Sequence, residues 1–164
     1  MLQHFSPEEN HESILKDGWI KPGYKTGKGS LYGKESKWIY VRINTEINAS
    51  DSSFHFLIDE NILLHTKFIL HTGLYSEDYE CNEIIDGTKL TKYKLKKMLN
   101  KFKEICKLNY EMQKLIGKHM QVHHSNEILI KEDIDLHKYL VEYHGMNKEL
   151  IEYVKIHYPK VLNL

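Results

Sequence analysis

The chain of 164 residues carries one alanine, Ala49, one arginine, Arg42, two cysteines, three prolines and no net charge, with Lys+Arg and Asp+Glu both at 23. The charge balance excludes a global basic field that would hold nucleic acid non-specifically, so a nucleic-acid role needs a local patch. Cys81 and Cys106 have no short paired spacing, which excludes a disulfide framework or a thiolate zinc site and fits a reducing cytoplasm. No run approaches the roughly 20 apolar residues needed to cross a bilayer. The positions after Met1 are polar and include Glu8 and Glu9, unlike a signal peptide, so a cytoplasmic protein without membrane contact is expected. No P-loop, GxGxxG or GxSxG motif occurs, and none of the eleven histidines falls into HExxH or a Cys/His finger spacing, so no metal is expected. The scarcity of alanine and arginine among many Lys, Ile and Asn matches an AT-rich codon bias. Such a bias turns exposed arginines into lysines, which draws attention to the retained Arg42.

Length and apolar content suit one domain spanning 1–164. Leu2 to Phe5 reads as a short strand. Ser6-Pro7 followed by Glu9 matches a capping box with proline at the first helical position, and predicts a helix over about 7–16 with Ile14 and Leu15 buried and Gly18 as its left-handed stop. Residues 21–37, with four glycines and Pro22, read as a loop suited to approach a phosphate-bearing ligand. Strands are predicted at 37–44, at 53–59 with Phe54, Phe56 and Ile58 on one face, at 66–72 and at 126–130, with a weaker one at 80–86. Leu95, Met98, Leu99, Phe102, Ile105, Met112, Leu115 and Ile116 recur at helical spacing and predict one long amphipathic helix over 92–118. Helices are also expected at 135–143 and 147–157. The fold class is α+β.

The stretch His4, Ser6, Asn10, Ser13, Ile14, Leu15, Gly18 resembles the first strand and helix of the ADP-ribosyltransferase superfamily, in which a strand ends in His before a hydroxyl-bearing position and a short helix. Glu127, Ile128, Ile130, Ile134, Leu136 and Tyr139 resemble its late strand, which starts with a catalytic Glu, and Tyr40 occupies the place of the residue set against the nicotinamide. The resemblance implies a split antiparallel sheet with a cleft, flanked by short helices and the long amphipathic one. It also implies an enzyme that transfers ADP-ribose from NAD to a protein or nucleic acid, in a toxin or phage-host conflict setting.

On this resemblance, Glu127 stabilises the charge that develops on the ribose as nicotinamide departs. His4, Phe5, Ser6 and Tyr40 belong to the NAD-binding set, and Arg42 contacts a phosphate or the substrate. The expectation is that His4 and Glu127 lie on neighbouring central strands with side chains facing one cleft; side chains on opposite faces of the sheet would end the transferase reading. Glu83, in a second Asn-Glu-Ile, competes with Glu127 for the catalytic role. Ser125 stands where arginine-modifying members carry Gln or Glu, which disfavours an arginine acceptor and leaves DNA-modifying (DarT-like) and diverged phage or toxin members. Two other readings remain open. One is a non-catalytic module that binds a nucleotide or blocks a host protein on a degenerate transferase-like fold, and the other an unrelated α+β interaction protein that uses its lysine-rich helix.

Overall fold

The β-branched and aromatic run around Trp38–Ile43 cannot bury its apolar side chains as an isolated strand, and in the computed structural model it becomes the middle of a sheet. The structure describes residues 1–27, 36–43, 55–72, 83–116 and 126–161. Nine strands are described: β1 Leu2–Phe5, β2 Trp19–Ile20, β3 Ile39–Ile43, β4 His55–Ile58, β5 Lys67–His71, β6 Ile85–Asp86, β7 Glu127–Ile130, β8 Ile134–Asp135 and β9 Leu140–His144. Seven of them form one sheet in the order β6-β5-β7-β3-β1-β4-β9, while β2 and β8 pair separately. Every pairing is antiparallel.

One face of the large sheet is the core. Leu2, Val41, Ile43, Phe56, Ile58, Phe68, Ile128, Ile130 and Tyr143 join a single buried cluster with residues of several helices. Helix α1 (His11–Asp17) contributes Leu15, and α3 (Lys92–Ile116) contributes Leu95, Leu99, Phe102 and Cys106. Leu150 and Val154 come from α5 (Lys148–His157). Burial pushes the Cys106 thiol up to about 11, as suits a packing cysteine. The single turns α2 (Gly23–Thr26) and α4 (Leu136–Tyr139) complete the helices. No described helix is long and apolar enough to cross a membrane.

Several expectations need correction. Ser6 makes no cap: a 3-10 turn over Glu8–Asn10 precedes α1, and neither start has a side-chain cap bond. The Ser6 carbonyl instead accepts from His11 Nε2 at 2.9 Å, while the Glu8 carboxylate accepts from the backbone N–H groups of Met146 and Asn147, both at 2.9 Å. Gly18 does stop α1, with φ 76° and its N–H donating to the Ile14 carbonyl. The helix expected over 135–143 is the turn α4 followed by β9, because Tyr143 and Leu140 pair opposite Phe56 and Ile58 and complete the sheet edge. A spacing of three in Leu140–Tyr143 fits a bulged strand as well as a helix. The apolar stripe of α3 also ends early: Met112 is 50 % and Leu115 85 % exposed. Within the loop expected at 21–37, Gly23–Thr26 forms a helical turn with Lys25 paired to Asp133. Phe54, Cys81 and Ser125, and residues 28–35 of that loop, lie outside the described residues.

Candidate functional site

The second face of the sheet is chemically unlike the core. Cross-strand partners share a face, and the registers run Gln3↔Arg42, Arg42↔Glu127 and Glu127↔His71 across β1, β3, β7 and β5. On the other side of β1, Gln3 stands opposite Leu57, which in turn faces Glu142 on β9. A transverse row of polar side chains therefore crosses the middle of the sheet. Along the strands, Phe5 and Tyr40 are two positions from Gln3 and Arg42 and lie on the same face. Leu57, Ile69 and Leu129 on this face are buried yet stand outside the core cluster.

Each site residue has a defined setting. The Arg42 side chain is exposed, with its guanidinium over the Phe5 ring at 5.2 Å. The ring quadrupole attracts a cation so placed. Glu127 is half-buried at the first position of β7. Ser36 donates to the Tyr40 hydroxyl at 2.9 Å, which fixes the ring at the far end of the same strand. Gln3 is 4 % exposed, and its amide oxygen, a buried acceptor, accepts no hydrogen bond among the described residues.

His4 is placed differently. Its neighbour Gln3 faces the polar row, so His4 projects to the opposite side, where its partner on β4 is Phe56. The expectation that His4 and Glu127 occupy neighbouring strands and face one cleft is overturned. Strand β3 pairs with both β1 and β7 and so stands between them, and the one-residue offset turns the two side chains to opposite faces. The transferase reading that sets His4 and Glu127 against one ligand ends with this placement.

The surroundings of His4 nevertheless matter to Tyr40. The β1–β3 ladder covers only Leu2 and Gln3, and beyond it His4 Nδ1 lies 3.0 Å from the Tyr40 carbonyl oxygen. A carbonyl only accepts, so Nδ1 carries the proton. Burial, reinforced by the His11 ring and only partly opposed by the bond to Tyr40, lowers the imidazole to about 4. The ring is therefore neutral near pH 7 and presents Nε2 as an acceptor.

Phe5, Tyr40, Arg42 and Glu127 are thus brought to one face, and His4 stands at the parting of β1 and β3. Ser6 lies past the end of β1, where its carbonyl serves His11. Glu83 is exposed and precedes the edge strand β6, with β5 between that strand and β7. Sequence reasoning missed Gln3 and His71, whose membership of the row needs the strand register. His71, 3 % exposed, had one usable signal, its position near the end of an apolar strand. No group of three or more His, Cys, Asp or Glu among the described residues is disposed to hold a metal. Comparison with family models, with characterised proteins and with solved structures finds no match for this chain.

Proposed function

We propose a revised reading that does without a facing His4: the chain is an NAD-dependent mono-ADP-ribosyltransferase whose reacting groups lie on the Tyr40–Arg42–Glu127 face of the sheet. The observation that carries the reading is the alignment of Arg42 directly opposite Glu127, with Tyr40 two residues along the same strand. In this reading Tyr40 stacks on the nicotinamide ring and Arg42 neutralises the pyrophosphate. The bond between the nicotinamide nitrogen and the ribose breaks, and the nicotinamide nitrogen takes the electron pair. Glu127 stabilises the positive charge left on the ribose until an acceptor nucleophile adds to that carbon and gives up its proton. His4 borders the opening where β1 and β3 part and sets the height of Tyr40 through its carbonyl. It does not face Glu127 across the ligand.

A second reading is favoured by that same opposition of His4 and Glu127: a non-catalytic module that binds a dinucleotide on the polar face without turning it over. The decisive experiment incubates the protein with adenine-labelled NAD, with and without protein lysate or nucleic acid, and follows label transfer and nicotinamide release. The transferase reading expects both to depend on the protein. Saturable NAD binding with neither product supports the second reading.

A further inference from the structure

The chain is neutral overall, yet its charge is unevenly placed. Helix α3 contains eight lysines and two glutamates, a net of +6, so the remaining residues together carry −6. Seven of these lysines, Lys92, Lys94, Lys96, Lys97, Lys101, Lys103 and Lys107, have described side chains, and none makes an ion pair among the described residues. Elsewhere Lys16, Lys21, Lys25, Lys89 and Lys155 each lie against a carboxylate, while Lys37, Lys67, Lys131, Lys138, Lys148 and Lys160 are scattered and make no ion pair among the described residues, so what sets α3 apart is the density of its cations. The local basic patch that the overall composition withholds is therefore present on one element, without ion-pair partners among the described residues.

Helical geometry sorts the lysines. At about 100° per residue, Leu95, Leu99, Phe102 and Cys106 form the stripe turned into the core. Lys92, Lys96, Lys103 and Lys107 fall along one flank of it, and Lys94, Lys97 and Lys101 form a second row pointing outward. Tyr93, 75 % exposed, and Asn100 lie between the two rows. From Lys92 to Lys107 the helix rises about 22 Å at about 1.5 Å per residue. Two rows of cations on either side of an exposed aromatic ring match a single nucleic-acid strand, with phosphates on the lysines and a base stacked on the tyrosine. An anionic bilayer is a poorer match, because a membrane-surface helix inserts its apolar side and that side of α3 is spent on the core.

We propose that the exposed face of α3 is a docking surface for single-stranded nucleic acid, DNA or RNA. The assignment stands whether or not the chain turns over NAD.

The test uses the full chain and fluorescence anisotropy with labelled 20-nucleotide single strands of mixed sequence, one DNA and one RNA. At least one strand binds, and if about four phosphates are neutralised, affinity falls roughly 50-fold between 50 and 200 mM salt. The variant K94E/K97E/K101E, with wild-type helical circular dichroism, loses 30-fold or more. Tyr93→Ala loses about tenfold with little change in the salt dependence, whereas K16E/K155E, which touches paired lysines only, binds as wild type. The proposal is overturned if neither strand binds, if the triple variant binds as tightly as wild type, or if K16E/K155E loses as much as it does. Tighter binding to a duplex of the same sequence overturns the single-strand assignment. Binding to phosphatidylserine vesicles without binding to either strand assigns the face to lipid and overturns it too.

Discussion

Arg42 and Glu127 stand directly opposite one another on β3 and β7 and leave the sheet on the same face. Opposite charges at such positions support each other by about 0.2–1 kcal/mol, too little to explain their placement through stability alone. If Arg42 meets the pyrophosphate of NAD, one charge-assisted contact is lost in Arg42→Gln. Affinity for NAD then falls at least tenfold, read by titration calorimetry, while the unfolding midpoint barely moves. Unchanged affinity would remove Arg42 from the site.

His4 and His11 give the fold a signed pH dependence. Both are lowered chiefly by burial, His4 to about 4 from an ordinary 6.5. Between those values the unfolded chain binds the proton and the folded one does not, so stability rises with pH and is fully present above 6.5. The His4 part amounts to about 3 kcal/mol at most. Urea unfolding at a series of pH values between 7.5 and 4.5 should show this loss on acidification, and His4→Asn should flatten it. An unaltered slope in the variant would contradict the buried neutral imidazole.

His11 is a structural histidine of the core. It is fully buried, its Nε2 donates to the Ser6 carbonyl, and its Nδ1 lies 3.0 Å from the Tyr143 hydroxyl. Because a carbonyl only accepts, the tyrosine is the donor in the second bond. His11→Ala leaves a cavity against Phe56 and strands both partners, and should cost about 3–4 kcal/mol by denaturant unfolding. A cost below about 1 kcal/mol would mean that water replaces the ring.

Two glycines separate close approach from conformation. A Cβ on Gly87 would overlap the Leu63 carbonyl oxygen, whereas Gly27, at φ +62°, has nothing within 4 Å. Gly87→Ala must move backbone and should lower stability by more than about 3 kcal/mol. Gly27→Ala should cost only about 1 kcal/mol, the conformational share. Thermal unfolding of the two variants checks the contrast, and equal losses would contradict it.

The parts of the fold legible in the sequence were those set by local periodicity. The alternation of Phe56 and Ile58, the left-handed stop at Gly18 and the stripe from Leu95 to Phe102 each follow from side-chain direction within one element. What stayed hidden depends on register between distant elements. Leu140 to Tyr143 became an edge strand because β4 needed a partner, and in place of the capping box at Ser6 the Ser6 carbonyl takes a bond from His11. The same holds at the site. The grouping of Tyr40, Arg42 and Glu127 was legible because two strand motifs carry them. The turning of His4 to the other face was not, because one residue of register decides it.

The most direct test of the central claim measures NAD affinity and nicotinamide release side by side for wild type, Glu127→Gln and Glu83→Gln. The amide keeps the size of Glu127 and one acceptor but loses its negative charge, so NAD affinity should stay within a few-fold. Release should fall by about 100-fold or more, as expected when about 3–4 kcal/mol of transition-state stabilisation is removed. Glu83→Gln should match wild type. Equal release by wild type and Glu127→Gln, or its absence from wild type that binds NAD, would contradict the account.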